Sequence, residues 1–120
     1  MKKYEQNSRT MVGALLKRAK LENGFIHREI AIELGLPSYN LLSMIECGRN
    51  SVPIKRLIDV GAAYRLRRLE VLAIVKLTIP DLWQIVRCCN LQVGMSQERW
   101  DELDAKIDEV IDSIADERGK

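Results

Sequence analysis

Residues that could hold a metal ion or form a nucleophile–base pair are scarce in this chain. Its 120 residues include one histidine, His27, and three cysteines. No Cys-x-x-Cys or His-Glu-x-x-His spacing accompanies them. A glycine-rich phosphate loop is also absent, and the serines stand where they would cap helices. We therefore expect no enzyme, no metal site and no cofactor.

Long apolar runs are lacking too, and the number of cysteines is odd. No run reaches the roughly 18 residues that a membrane helix needs, and no signal-type hydrophobic segment follows residues 1–5. The adjacent Cys88 and Cys89 cannot readily close a relaxed disulfide, and their neighbours Ile85 and Val86 predict buried thiols. These features predict a protein of the reducing cytoplasm with no membrane contact.

The alternation of apolar and polar residues that is typical of half-buried strands is not found over four or more residues. Apolar residues instead recur at spacings of three and four, with glycine and proline at the ends of the segments. The predicted fold class is therefore all-α. The predicted helices span residues 10–23, 27–34, 38–47, 54–64 and 66–77, followed by one that restarts at 78–81 and continues through 82–86, and by a last one from residue 96 onward. The first is capped by Thr10, and Leu57, Ile58 and Val60 are predicted to be buried.

Charge is distributed unevenly along the chain. Residues 1–95 contain 15 Lys and Arg against 8 Asp and Glu, a net charge of +7, whereas residues 96–120 contain 4 against 9, a net charge of −5. A basic body of this kind favours a polyanionic partner. Three segments follow from charge and pattern together: a helical domain (1–65), a helical extension that packs on it (66–95) and an acidic amphipathic helix (96–120).

The most informative stretch is residues 27–46, where a helix of two turns, a Pro-Ser turn and another short helix follow one another. Ala31 is small enough to let the next helix cross closely, and Gly35 can take the positive φ of a tight exit. Leu42 and Ile45 would hold the second of these helices against the core. The pattern predicts two short helices at a fixed angle.

Ala31-x-x-x-Gly35, the run from Leu42 to Arg49 and Val52-Pro53 resemble the signature of the Cro and lambda-repressor-like (XRE-type) helix-turn-helix family over about residues 10–65. The resemblance implies a lambda-repressor-like bundle with additional C-terminal helices. It also implies a sequence-specific transcriptional regulator, which we expect to be a repressor that binds a palindromic operator in double-stranded DNA as a homodimer through the helix 38–47. The connection after Gly35 is one residue longer than is usual in that family.

A recognition helix of this type reads bases with residues near its start. Asn40 carries an amide that can pair bidentately with adenine, and hydroxyl groups can bond base edges or phosphate. The predicted base contacts are Ser38, Tyr39, Asn40 and Ser43. This face has no Arg, Lys or Gln, the side chains best suited to guanine or to strong discrimination, so we expect weak or A·T-leaning reading.

Phosphate contacts are expected from the basic and polar residues that flank this helix, because such contacts fix the register of a protein on DNA without reading sequence. The predicted set is His27, Arg28, Arg49, Asn50, Lys55 and Arg56. Glu46 is assigned a structural role, bonding neighbouring backbone, because a carboxylate beside phosphate would repel it.

The acidic segment carries an apolar seam with alternating spacings of three and four residues, formed by Trp100, Leu103, Ile107, Val110 and Ile114. A seam of this kind predicts dimerisation, with packing on the chain's own body as the alternative. A rival function also follows: an antitoxin-like or adaptor module in which the helix-turn-helix is a scaffold and the acidic tail, or the apolar segment 69–86, binds a protein partner.

Overall fold

A computed structural model describes the backbone of residues 3–118 and the side chains of residues 8–115, and over this part the chain consists of helices without strands. The all-α prediction is confirmed. The helices are α1 (Lys3–Glu22), α2 (His27–Leu34), α3 (Asn40–Glu46), α4 (Leu57–Ala63), preceded by a 3₁₀ turn at Ile54–Arg56, α5 (Arg68–Thr78), α6 (Pro80–Gln92) and α7 (Gln97–Arg118). Within the described part of the chain, none of them combines the length and apolar character needed to cross a bilayer.

Several helix ends follow from the local sequence. The predicted bounds of α2 are confirmed: Glu29 accepts a hydrogen bond from the Ile26 amide at 3.1 Å at its start, and Gly35 adopts a φ of 71° after its end. Glycine takes this left-handed conformation without the steric penalty of a Cβ atom. Ser96 caps α7, because its hydroxyl accepts a hydrogen bond from the Arg99 amide at 3.2 Å.

Three local predictions are wrong. Helix α1 begins at Lys3 rather than at Thr10, since the residues between them include good helix formers and neither glycine nor proline. Ile58 was expected to be buried, but it is 74% exposed. Cys88 and Cys89 are exposed as well, because α6 is covered on one side only.

Helix α5 lies at the centre of the packing and contacts α1, α4, α6 and α7. Helix α1 also contacts α3 and α7, while α2 packs against α3 and α4. Buried residues of all three predicted segments, such as Leu15, Ile74 and Trp100, belong to one continuous hydrophobic core. The helices that carry the acidic segment are therefore part of the same folded unit as α2 and α3.

Close approach of two backbones positions α3 in this unit. A Cβ atom at Gly13, on α1, would lie 2.5 Å from the carbonyl oxygens of both Ile45 and Glu46 at the end of α3. Only glycine fits at such a distance, because real Cβ contacts are never so short. The crossing of α1 and α3 therefore depends on Gly13.

The apolar seam of α7 faces the body of its own chain. Trp100, Ile107 and Ile114 are at most 2% exposed, and Leu103 and Val110 are half-buried. Helix α7 contacts α1, α5 and α6. The alternative of packing on the chain's own body is thus what the structure has, and a dimer that used this seam would require α7 to leave the bundle.

A lysine clamp joins α7 to α5. Lys76 Nζ donates hydrogen bonds to Asp104 at 2.8 Å and to Asp108 at 2.7 Å, and Asp104 also accepts one from Trp83 Nε1 at 3.1 Å. Partial burial alone would lower the pKa of Lys76, but the hydrogen bonds and negative charges of the two aspartates outweigh it and the pKa is raised. The clamp fixes the acidic helix on the side of α5 and α6.

Candidate nucleic-acid interface

Helices α2 and α3 form a compact pair joined by residues 35–39. The amide of Leu36 donates to the Ala31 carbonyl at 2.9 Å, which turns the chain sharply after α2. Leu42 and Ile45 are each 1% exposed and hold the inner face of α3 in the core, as predicted. The opposite face of α3 is left to solvent.

The start of α3 brings the four residues predicted to contact bases into one neighbourhood. Ser38, Tyr39 and Asn40 are exposed, and Ser43 is half-buried one turn further along. Ser38 Oγ accepts a hydrogen bond from the Asn40 amide at 3.4 Å, which gives the first amide of the helix a partner. Met44, which is 40% exposed, extends the same outer face.

An aromatic contact holds Tyr39 at this helix start. Its ring is stacked on the imidazole of His27, with ring centroids 5.9 Å apart and planes 20° apart. His27 is the first residue of α2. The contact therefore links the starts of the two helices and restricts the positions that the Tyr39 ring can adopt.

Beneath this face lies a buried polar cluster centred on Glu46, whose side chain is only 5% exposed. Its carboxylate accepts hydrogen bonds from Lys20 Nζ at 3.0 Å and from Tyr64 Oη at 2.7 Å, and it lies 2.7 Å from His27 Nε2. The partners of Glu46 in its structural role are thus side chains. The prediction that it bonds neighbouring backbone is wrong. A carboxylate this deep needs several donors to offset its lost hydration.

Lys20, His27 and Tyr64 come from three different parts of the chain, so the Glu46 cluster ties α3 to α1, α2 and the end of α4. Lys20 Nζ also lies 2.8 Å from His27 Nε2, and that nitrogen can either accept from the lysine or donate to Glu46, but not both at once. Burial, then the hydrogen bond to Glu46 and its negative charge, raise the pKa of Tyr64 above its ordinary value.

Lys20 and Tyr64 are not among the residues predicted to take part in a site. Both carry a recognisable signal, since Lys20 follows the buried Leu16 by four residues and Tyr64 follows the buried Val60 by four. Residues four apart share a face of a helix. A polar side chain on the inward face of each helix therefore calls for a buried partner, which Glu46 supplies.

The predicted phosphate-contacting residues lie at the start of α2 and in segment 49–56 after α3. Arg28, Arg49 and Lys55 are exposed, and Asn50 and Arg56 are half-buried. One guanidinium nitrogen of Arg56 donates to the Leu34 carbonyl at 2.7 Å, which leaves the remaining N–H groups for other acceptors. For His27 a phosphate contact would have to use Nδ1, because Nε2 faces Glu46.

The acidic helix is remote from this face. Among the described residues, α7 makes its helix contacts with α1, α5 and α6 and none with α2, α3 or α4. The exposed cations beside α3 are therefore separated from the strongest concentration of negative charge in the chain. This separation leaves the α3 face suited to an anionic partner.

The side chains that the structure describes contain no group of three or more His, Cys, Asp or Glu that could hold a metal ion. No protein-family model, curated protein or solved structure matches this chain significantly.

Proposed function

We propose that this protein is a sequence-specific DNA-binding transcriptional regulator of the Cro and lambda-repressor-like helix-turn-helix type. It acts as a repressor that occupies a palindromic operator as a homodimer. Helix α3 enters the major groove, and its start presents Ser38, Tyr39 and Asn40 to the base edges.

One observation carries the proposal: the start of α3 exposes polar side chains, with exposed cations before and after it in the sequence, on a helix whose inner face is held in the core. Arg28 precedes α3 in sequence, and Arg49 and Lys55 follow it. Cations near a groove-binding helix can contact the phosphates that border the groove. The outward face of α3 contains no cation of its own, so the affinity for DNA comes chiefly from the cations before and after this helix.

Base reading rests on few side chains. Asn40 is exposed, and its amide can pair with the N6 and N7 edge of adenine. Tyr39, fixed against His27, offers a ring edge to a thymine methyl group. Such a set favours A·T pairs and gives limited discrimination, because each good bidentate pair contributes about 1–3 kcal/mol.

The first test is the salt dependence of binding to a duplex of arbitrary sequence, followed by fluorescence anisotropy. We expect Arg49→Ala to weaken binding and to lower the slope of log K against log salt by about 0.9, the value for one phosphate contact. The matched control is Arg68→Ala, since Arg68 is exposed but borders a groove formed with α7. The control should retain the wild-type slope.

Equal losses for Arg49→Ala and Arg68→Ala would contradict the proposed orientation of α3 on DNA. Absence of any salt-dependent binding by the wild-type protein would favour the rival function, an antitoxin-like or adaptor module. Segment 69–86 would then be the place to seek a protein contact, since Leu82 and Ile85 are exposed there.

A further inference from the structure

Four exposed aliphatic side chains lie on the 3₁₀ turn, on α4 and on α6, and we call them the aliphatic patch: Ile54, Ile58, Leu82 and Ile85. They are 61%, 74%, 37% and 58% exposed, respectively. Ile54 and Leu82 line the same small apolar cavity of about 30 Å³, together with residues at the end of α5. Ile58 lies one turn beyond Ile54, and Ile85 lies one turn beyond Leu82.

Exposure of these four apolar side chains to water is unfavourable for a monomer. Single exposed aliphatic residues are ordinary, but a contiguous group marks a surface that another molecule covers. The α7 seam is already buried within its own chain. The aliphatic patch is a surface on which a second copy can bury apolar area.

Charge at the edges of the patch fits a second copy of the same chain. Lys55 stands beside Ile54, Asp81 stands beside Leu82, and both charged residues are exposed. In a two-fold interface each contact occurs twice, with the partners exchanged. An antiparallel approach of two patches would therefore bring Lys55 of each copy to Asp81 of the other.

We propose that the aliphatic patch is the homodimer interface of this protein. The inference deepens the proposed function and rests on it for the direction in which the pair faces. The 3₁₀ turn that carries Ile54 follows α3 by only the loop 47–53. To bind a palindromic operator, two copies joined here must present both α3 helices on the same side.

The test is sedimentation equilibrium of the full chain without DNA, over micromolar concentrations. The wild-type protein is expected to show a reversible monomer–dimer equilibrium. Ile58→Glu should raise the dissociation constant roughly tenfold or more, as substitutions at the centre of an interface do. Ile32→Glu is the matched control, because Ile32 is 72% exposed on α2, outside the patch, and it should leave the constant unchanged.

A charge exchange tests the proposed geometry separately. Asp81→Lys should weaken the dimer, since it places a like charge opposite Lys55, and adding Lys55→Asp should restore most of the lost affinity. Because no DNA is present, the predicted contact between Lys55 and phosphate does not affect this measurement. Circular dichroism spectra of all variants should match that of the wild type, because every substituted residue is exposed.

A monomeric wild type at every concentration would overturn this inference, and so would equal effects of Ile58→Glu and Ile32→Glu. Failure of the double charge exchange to recover affinity would overturn the antiparallel pairing. None of these outcomes bears on whether a single chain binds DNA. Conversely, a dimer that fails to bind DNA would contradict the proposed function but not the proposed interface.

Discussion

Replacement of Tyr64 by phenylalanine tests the Glu46 cluster with a minimal change. The Tyr64 side chain is fully buried, and its hydroxyl donates to Glu46 at 2.7 Å. Tyr64→Phe removes this donor while the ring keeps its packing. Lys20 and His27 remain beside the carboxylate, so Glu46 is not left without a partner.

The expected loss follows from the kind of hydrogen bond. A hydrogen bond to a charged group contributes about 1.5–3 kcal/mol, and we expect the lower part of this range, about 1.5–2 kcal/mol, because two partners of Glu46 persist. For a chain of this length that loss corresponds to a fall in Tm on the order of 5–10 °C. Urea unfolding followed by the fluorescence of Trp83 and Trp100, which are both buried, measures the free energy directly.

Tyr39→Phe provides the matched control, since the Tyr39 side chain is 47% exposed. Its change in the free energy of unfolding should stay within about 0.5 kcal/mol, as is usual at the surface. If Tyr64→Phe were no more destabilising than Tyr39→Phe, the account of the Glu46 cluster as a determinant of the position of α3 would be refuted.

Three further outcomes are expected. Because the pKa of Tyr64 is raised in the folded protein, the unfolded chain releases this proton first above pH 10. The free energy of unfolding should therefore fall there by up to about 1.4 kcal/mol per pH unit. Tyr64→Phe should show a shallower fall in urea titrations at alkaline pH, and an identical slope would argue against Tyr64 as the source of this pH dependence. Gly13→Ala should cost roughly 1–3 kcal/mol despite the better helix propensity of alanine, because its methyl group would meet the carbonyls of α3; a thermal melt showing stabilisation would contradict the close crossing. Deletion of residues 96–120 removes three nearly fully buried large side chains, whose burial contributes about 1.5–3 kcal/mol each. This sum is a large part of the stability of a typical domain, so the truncated chain should lose its cooperative unfolding transition. A sharp transition would show that α7 is dispensable.

Local features of the fold could be predicted from sequence. The ends of α2 follow from Gly35 and from the placement of Glu29, and the inward positions of Leu42 and Ile45 follow from helical periodicity. Each of these depends on interactions within a few residues. The grouping of Ser38, Tyr39 and Asn40 at one helix start could be predicted for the same reason.

Features that depend on long-range packing could not be predicted. The partners of Glu46 lie 26, 19 and 18 residues away in sequence. The inward spacing of Lys20 and Tyr64 marks each as a buried polar residue, but nothing local to Glu46 identifies them as its partners. Ile58 is apolar and stands at a plausible inward spacing, yet no neighbouring helix covers it. The stripe from Trp100 to Ile114 is the same pattern whether it packs on a second copy or on its own body, so only the tertiary structure distinguishes the two.

The central claim, that the start of α3 reads DNA sequence, is tested most directly by selecting bound duplexes from a random pool with the wild-type protein and with Asn40→Ala. We expect the wild type to enrich a two-fold symmetric motif rich in A·T pairs, with half-sites about one helical turn apart. Asn40→Ala should relax the preference at one position in each half-site. A pool that enriches no motif with the wild-type protein, or the same motif with both proteins, would contradict the claim.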